Sequence, residues 1–509
     1  MAGLGIDGPV TLEGTGNLIL NAVPGGSLFT ANIYGANTLT QSSGHTISGT
    51  GQITVSSFTN YGTLDANSTG NTLLMQYSIA GTFANNGTFE ATNGGTLSFG
   101  SGPFTNTGTI LANAGNVVLN GYTNLTNTAM MQSINGGSLE LLSGTITNTG
   151  GTIQANGGAV LLNGGTVTGG TLTSIGNNEI DQQGVTNLTN VTLSAGSNLK
   201  ILDGSHAYFV SSNGGTATVN GTVTVNKGGT NANTSISIGG AVDFTGTGSV
   251  ILNGYAGNVE SAWIADLGNS NLTQDSGHTI SGTGTISVDS FTNNGTVNAN
   301  SSGNTLLLQT NNLAYSNNSV WEATGGGTLS IGNGMYTNNG NILADAGVVV
   351  MNGYTSVTNT GTMQATNGGS LDAFSADITN TGMIQAGTGG SLEEVSATIT
   401  NTGGTVEANG GTVLLNGGKL TGGTLTSIGN SEIDQQGITY LTNITLSAGS
   451  NLKILDGSHA YFYSSGSSTV TTTNQDQAGT GNSMAGILCQ IATSDVVNPG
   501  RFQVAGETV

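Results

Sequence analysis

The sequence is poor in charged residues, and this scarcity limits the classes of protein that it can encode. Only 6% of the 509 residues are charged, with 26 acidic and 5 basic side chains. An ordinary soluble domain carries about 25% charged residues, so the composition argues against a helical or α/β globule. The basic residues are Lys200, Lys227, Lys419, Lys453 and Arg501. They are too widely spaced for the basic surface that nucleic acids or anionic membranes require, so neither is expected as a partner.

Cysteine and long apolar runs are also scarce. Cys489 is the single cysteine, which excludes an internal disulfide framework and a multi-cysteine zinc site. The longest apolar runs, such as Val348–Met351, fall far short of the roughly 20 residues of a membrane-spanning helix. The N-terminus shows no basic segment followed by an apolar stretch, so no signal peptide is predicted. From these features alone we expect a cytosolic chain or a piece of a longer protein.

The sequence is rich in glycine, with 87 residues, and in internal repetition. The segment VTLEGTGNLILN from Val10 returns as VDFTGTGSVILN from Val242, an offset of 232 residues. The segment NLKILDGSHAYF from Asn198 returns unchanged from Asn451, an offset of 253. The 21-residue difference indicates an insertion in the second copy, near MIQAGTGGSLEEVSATITNTG. We predict a first copy over 1–212, connecting coils over 213–241, a second copy over 242–465 and a non-repeat or truncated tail over 466–509.

The length of the insertion equals a second, shorter period. The motif T-N-T-G and its variants place an asparagine every 21 residues in two series: Asn106, Asn127 and Asn148, and later Asn338, Asn359, Asn380 and Asn401. A stack of equivalent units tolerates the insertion of a whole unit, which a closed globule generally does not. The period therefore predicts a solenoid.

Within one period the local pattern predicts strand, turn, strand, turn. Short alternating runs are separated by Asn-Gly and Gly-Gly pairs, which accept positive φ at little cost. Four apolar pairs recur in phase and are predicted to point inward: Leu97/Phe99, Val117/Leu119, Leu139/Leu141 and Val160/Leu162. The residues between them are predicted to face outward: Ser98, Val118, Glu140 and Leu161. The chain is thus predicted to be all-β, a parallel β-helix or β-solenoid with coils of about 21 residues.

One group of acidic, basic and histidine residues occurs in both copies and is the best candidate for chemistry. The first group is Glu179, Asp181, Lys200, Asp203 and His206, and the second is Glu432, Asp434, Lys453, Asp456 and His459. The carboxylates and the histidine lie about one coil apart, so they could approach one another on one face. Paired carboxylates with a nearby base would suit glycoside hydrolysis or polysaccharide lysis.

A structural interpretation of the same residues is the one that we favour. Glu179 and Asp181 would lie at a turn, and Lys200 would offset their charge from the neighbouring coil. Asp203 and Gly204 would form another turn, with His206 exposed or capping. Acid–base chemistry needs a cleft, whereas these residues lie on a plain repeat.

The remaining histidines and the aromatic residues show less specific patterns. His45 and His278 precede a Thr-Ile strand and are predicted to be turn residues. Six aromatic residues could form a sugar-stacking platform if they share a face, or more commonly fill the core and cover its ends: Trp263, Trp321, Tyr122, Tyr354, Tyr208 and Tyr461. Motifs of zinc proteases, P-loops and dinucleotide sites are absent. We therefore predict no catalytic residues, no cofactor-binding residues, no metal ligands and no enzyme activity.

The runs TNTGTI, TNTGGTIQANGGAVLLNGG, ATNGGTLS and HTISGTG resemble the Gly/Asn/Thr-rich strand repeats of bacterial autotransporter passengers. They are similar as well to long extracellular β-strand-repeat proteins of environmental bacteria. The resemblance covers about residues 10–465 and implies a right-handed parallel β-helix, export to the bacterial cell surface, and a role in adhesion or biofilm matrix. It carries over no functional residues, because the pattern defines strands and turns and not a site.

Three functions follow as hypotheses. The first is a structural or adhesive extracellular protein, an elongated β-solenoid stalk or adhesin passenger, with host or environmental surfaces, polysaccharide or biofilm matrix as partners. The alternative is a β-helical polysaccharide lyase or glycoside hydrolase that uses one of the acidic groups. The third is an inert spacer for a functional domain outside this sequence. The enzyme hypothesis requires that an acidic group line a groove.

Overall fold

The structure is a computed structural model that describes residues 2–23, 27–76, 81–100, 102–120, 123–212, 217–311, 313–455 and 457–464, with short tail strands at 471–472, 477–478 and 486–491. It is 62% strand and 1% helical and forms a parallel β-solenoid of about 20 turns of roughly 21 residues. This confirms the predicted fold class. By contacts, the chain divides into one unit over 1–253 and 267–270 and a second over 254–266 and 271–509. The four parts drawn from the sequence duplication stay a prediction.

In its described residues the first unit contains the 3₁₀ helix Leu28–Thr30 and thirty-one strands. Their bounds are β1 Ala2–Gly5, β2 Val10–Leu12, β3 Asn17–Asn21, β4 Ala31–Gln41, β5 Thr46–Asn60, β6 Thr63–Ala66, β7 Thr72–Met75, β8 Phe83–Asn85, β9 Thr88–Ala91, β10 Thr96–Phe99, β11 Gly102–Asn106, β12 Thr109–Asn113, β13 Asn116–Leu119, β14 Thr123–Asn127, β15 Met130–Ile134, β16 Ser138–Leu142, β17 Thr145–Thr147, β18 Thr152–Ala155, β19 Ala159–Asn163, β20 Thr166–Thr168, β21 Thr171–Ser174, β22 Ile180–Gln183, β23 Val185–Thr189, β24 Thr192–Leu193, β25 Asn198–Ile201, β26 His206–Val210, β27 Ala217–Val219, β28 Thr222–Val225, β29 Thr234–Gly239, β30 Ala241–Phe244 and β31 Ser249–Asn253.

The second unit contains the 3₁₀ helix Val259–Ser261 and the remaining strands. Their bounds are β32 Ala262–Asp266, β33 Asn271–Gln274, β34 Thr279–Ser287, β35 Ser290–Asn293, β36 Thr296–Ala299, β37 Thr305–Leu308, β38 Tyr315–Asn317, β39 Val320–Thr324, β40 Thr328–Ile331, β41 Gly334–Asn338, β42 Asn341–Asp345, β43 Val348–Met351, β44 Thr355–Asn359, β45 Thr362–Thr366, β46 Ser370–Phe374, β47 Asp377–Asn380, β48 Met383–Ala386, β49 Ser391–Val395, β50 Thr398–Thr400, β51 Thr405–Asn409, β52 Thr412–Thr421, β53 Thr424–Ile428, β54 Ile433–Thr442, β55 Thr445–Leu446, β56 Leu452–Ile454, β57 His459–Ser464, β58 Thr471–Thr472, β59 Gln477–Ala478 and β60 Gly486–Ile491. The tail strands β58, β59 and β60 pair in parallel with β55, β56 and β57.

Each regular coil contains three strands and not the two that the sequence pattern predicted. β10 pairs in parallel with β13, β11 with β14, and β12 with β15, so each strand meets its equivalent one coil later. We call the three resulting sheets face A, face B and face C, in that order. The missed strand belongs to face B and ends in the first residues of the T-N-T-G motif, as β17 does at Thr147. Its asparagine and glycine are typical turn residues, which conceals the short strand in the sequence.

The interior of the coils is filled as predicted. The four apolar pairs of face A, from Leu97/Phe99 to Val160/Leu162, are 0–3% exposed, and the residues between them are partly exposed. Strand alternation produces this division, because successive side chains point to opposite sides of the sheet. Each coil therefore stacks its apolar side chains directly on those of the next coil.

The periodic asparagines form a buried hydrogen-bonded ladder, which we call the asparagine ladder. In each step the Nδ2 of one asparagine donates to the Oδ1 of the asparagine in the next coil. The first series runs through Asn60, Asn85, Asn106, Asn127 and Asn148 at 2.6–2.8 Å. The second runs through Asn293, Asn317, Asn338, Asn359, Asn380 and Asn401, also at 2.6–2.8 Å. A buried amide must be hydrogen-bonded to be tolerated, and the coil spacing provides the partner.

Candidate functional site

The first acidic group begins on face A, at the start of β22. Glu179 immediately follows a turn, as predicted, whereas Asp181 lies within the strand and not at the turn. Asp181 points outward because its strand neighbours Ile180 and Gln182 are fully buried. Lys200 on β25 lies opposite Asp181 in the next coil. This register would allow Lys200 to compensate the charge of Asp181 in the neighbouring coil.

The residue that compensates these carboxylates is nevertheless Lys227 and not Lys200, which corrects the prediction. The ammonium group of Lys227 lies 2.7 Å from Glu179 Oε2 and 2.9 Å from Asp181 Oδ1. The Lys200 ammonium instead donates to Thr224 Oγ1 at 2.9 Å. Burial acts to lower the pKa of Lys227, but hydrogen bonds and charges from both carboxylates outweigh it, so the pKa is raised. Lys227 follows Asp181 by 46 residues, about two coils, and this spacing is the sequence signal that was missed.

Asp203 and His206 have partners of their own and do not join the carboxylates. Asp203 and Gly204 form the predicted turn, and Asp203 Oδ1 accepts a hydrogen bond from the Gly228 amide at 2.7 Å. His206 Nδ1 lies 2.9 Å from Ser235 Oγ on face B, and burial lowers the pKa of this histidine. Within the described part of the chain, no hydrogen bond or ion pair links His206 to Glu179 or Asp181. The first group thus lacks the contacts of an acid–base pair.

The second acidic group repeats the strands of the first without repeating its charge compensation. Lys453 on β56 lies opposite Asp434 on β54, and its ammonium group is 3.4 Å from Glu432 Oε2. Asp434 Oδ1 is buried and has no hydrogen-bond partner among the residues that the structure describes. Burial raises the pKa of Asp434, Lys453 lowers it and Glu432 raises it, with a net increase. Asp456 lies outside the described residues, and the ring centroid of His459 lies 6.4 Å from that of Tyr461.

The second group also lines an open pocket of about 760 Å³. Three successive coils form it: the Gly389–Ser391 turn, the Asn409–Thr412 turn and the segment from Ile428 to Asp434. A carboxyl group with a raised pKa in a pocket can hold a proton and donate it to a bound molecule. Glu432 and Asp434 therefore meet the groove requirement of the enzyme hypothesis in part.

The predicted turn histidines both occupy turns. The amide of His45 donates to Ser42 O and that of His278 to Asp275 O, each at 3.2 Å. Both side chains are buried, and burial lowers the pKa of His278 to about 4. A neutral imidazole held in the interior is a packing residue, which agrees with the turn interpretation.

The six aromatic residues considered from the sequence do not share one face. Trp321 is fully buried, Tyr354 is 89% exposed at a turn, and Tyr122 lies outside the described residues. Tyr208 and Tyr461 occupy equivalent outward positions on face B of the two copies. Trp263 donates through its indole N–H to the carbonyl oxygen of Glu260. Tyr461, however, stacks with Tyr440 at a centroid distance of 5.4 Å, and Tyr440 was not considered from the sequence.

The described residues provide neither a metal site nor a membrane-spanning helix. Over the described ranges, no three His, Cys, Asp or Glu side chains come together where they could hold a metal ion. Neither of the two short helices in those ranges has the length or apolar character to span a membrane. The sequence matches no family model and no curated protein. The fold and the two acidic groups are therefore the basis on which a function can be proposed.

Proposed function

We propose that this chain is a structural, adhesive β-solenoid displayed on a bacterial surface or in the extracellular matrix. The observation that supports the proposal is the outward side of the coils, which presents rows of polar side chains with few charges among them. In one such row on face C, Gln364 Nε2 donates to Gln385 Oε1 and Gln385 Nε2 to Glu407 Oε1, both at 2.5 Å. Rows of this kind offer many weak hydrogen-bonding sites at a constant spacing, and weak contacts on one scaffold add through multivalency.

Two further features favour this role. The repeats resemble those of autotransporter passengers and of extracellular β-strand-repeat proteins, which supports export and adhesion. The scarcity of charge leaves hydroxyl and amide groups as the main outward chemistry, which suits polysaccharide or biofilm matrix as a partner. Host and environmental surfaces are the wider class of partner in this proposal.

The experiment is retention of the full chain on immobilised neutral and acidic polysaccharides and on glass. We expect measurable retention on at least one of these surfaces, because many weak sites act together. A variant of the face C row, Gln364→Ala with Gln385→Ala, should be retained less. Gln132→Ala with Gln154→Ala, which removes a similar outward glutamine pair in the first unit, should lower retention as well, because retention is attributed to many such sites. Absence of retention on every surface would overturn the adhesive proposal.

A second candidate function is favoured by the pocket beside Glu432 and Asp434. A polysaccharide lyase or glycoside hydrolase would use Asp434 as the proton donor, since its pKa is raised. Incubation with a panel of acidic and neutral glycans tests this candidate, with Asp434→Asn as the variant. Asp181→Asn is the matched control, because Asp181 is bound by Lys227. Product release that Asp434→Asn abolishes and Asp181→Asn does not would replace the structural proposal with the enzyme.

A further inference from the structure

Three tyrosines form an outward aromatic stack on face B of the second unit. The rings of Tyr440 and Tyr461 are 5.4 Å apart between centroids with an interplanar angle of 18°. Those of Tyr440 and Tyr463 are 6.1 Å apart with an angle of 29°. Tyr440 is 42% exposed, and Tyr461 and Tyr463 are partly exposed. We call these three residues the tyrosine platform.

A lysine continues the same column of side chains. Lys419 on β52 lies opposite Tyr440 in the preceding coil, just as Tyr440 lies opposite Tyr461 in the following one. The Lys419 side chain is exposed, and across the described residues no carboxylate forms an ion pair with it. An ammonium group in this position offers a partner to an anion that rests on the tyrosines.

The corresponding column of the first copy carries neither feature. At an offset of 253 residues, Lys419 and Tyr440 correspond to Thr166 and Asn187, which lie opposite each other in the same register. Tyr461 corresponds to Tyr208, and Tyr463 to Val210. Among the outward differences between these two otherwise similar stretches, these three fall on adjacent positions of one face. Packing of the core does not require them, because all three side chains point away from it.

We propose that Lys419 and the tyrosine platform bind a carboxylated sugar, such as a uronic acid unit of an acidic polysaccharide. The apolar C–H face of a sugar ring packs against the tyrosine side chains, whose hydroxyl groups remain available to the sugar hydroxyls. The Lys419 ammonium group pairs with the sugar carboxylate in a charge-assisted hydrogen bond. This inference rests on the proposed adhesive function and names the class of ligand.

The test measures binding of short galacturonic acid oligomers and of neutral galactose oligomers of equal length to the full chain by calorimetry. We expect the acidic oligomers to bind more tightly. The triple variant Lys419→Thr, Tyr440→Asn and Tyr463→Val should weaken their binding by about tenfold or more, because aromatic anchors dominate such contacts. Lys419→Thr alone should remove the preference for the acidic oligomers. These replacements are the residues of the first copy, so the fold accommodates them.

The converse variant sharpens the test. Thr166→Lys, Asn187→Tyr and Val210→Tyr rebuild the platform on the first copy and should raise the number of oligomers bound from one to two. Unchanged binding by the first triple variant, or equal binding of acidic and neutral oligomers by the native chain, would overturn the proposal. If the triple variant is retained on the surfaces as strongly as the native chain, the platform is rejected and the adhesive function is kept. If the chain binds the oligomers but no surface retains it, the platform is supported and the adhesive function is rejected.

Discussion

Residues 179–210 and 432–463 are two versions of the same coils whose inward side chains are the same except at Val191 and Ile444, whereas three outward positions differ. Gln182 and Gln435 are both fully buried, and each donates through Nε2 to the carbonyl oxygens of the next two residues at 2.9–3.1 Å. Outside, Lys227 binds both carboxylates of the first version, whereas Asp434 of the second has a buried oxygen without a hydrogen-bond partner.

Inward and outward positions of this fold differ in how well they tolerate amino-acid replacements. An inward side chain touches its equivalents in the coils before and after it, so a replacement there disturbs several contacts. An outward side chain also meets its equivalents in neighbouring coils, as Tyr440 meets Tyr461, but its other side faces solvent, so it has more room for replacement. We therefore expect function at outward positions where the two versions differ. The aromatic side chains that distinguish them, Tyr440 and Tyr463, lie in the second version.

The largest expected effect on stability concerns the interior of the inserted coil. That coil contributes Glu394, which is 1% exposed, and neither of its carboxylate oxygens has a hydrogen-bond partner within the described ranges. Burial raises its pKa to about 8 from the usual 4.5. The folded state therefore holds this proton more tightly than the unfolded state, and the protein loses stability as the pH rises from about 4.5 to about 8.

We predict that Glu394→Gln removes this loss. The variant should be more stable than the native chain by several kcal/mol at pH 9 and differ little below pH 4.5, since each pKa unit corresponds to about 1.4 kcal/mol. Urea unfolding followed by circular dichroism at several pH values measures the difference. Glu393→Gln changes the outward neighbour and is the control, which should retain the pH dependence. An equal pH dependence in native chain and Glu394→Gln would contradict the assignment.

We expect an intermediate loss of stability when the asparagine ladder is interrupted, and this loss should be equal in the two copies. Asn106 and Asn338 occupy equivalent steps of the asparagine ladder, and each has an asparagine partner in both neighbouring coils. Asn106→Ala and Asn338→Ala should each lower the free energy of unfolding by about 2–4 kcal/mol, because buried amides are left unpaired. The two losses should agree within the error of urea titrations. A clear inequality would show that the two interiors are not equivalent.

The smallest expected effect on stability concerns the outward ion pairs of the two acidic groups. Lys227→Met removes two ion pairs at 2.7 and 2.9 Å, and Lys453→Met removes one at 3.4 Å. All of these side chains are well exposed, so we expect a loss of about 1 kcal/mol or less for Lys227 and a smaller one for Lys453. The difference should vanish at 1 M salt, where exposed charges are screened. A larger loss for Lys453→Met at low salt would reverse the comparison.

Local periodicity was sufficient to predict the coil length, the inward pairs and the parallel solenoid. The third strand was missed because T-N-T-G combines strand and turn residues. Glu394 could have been found, since the phase of the repeat places it where Leu141 and Leu162 point inward. Lys227 and the tyrosine platform depend on contacts between coils, and these are set by the length of every turn between them. Such contacts follow from the register and not from any short motif.

The asparagine ladder has a direction, and its direction has an electrical consequence. Every step points its N–H group toward the C-terminal end of the series and its carbonyl oxygen toward the N-terminal end. Aligned amides add their dipoles, as peptide groups do along an α-helix. Each series is thus a buried dipole along its coils, with the positive end at Asn148 or Asn401. The Nδ2 of Asn401 has no acceptor in the described part of the chain, so an acidic side chain introduced one coil later would meet a favourable potential.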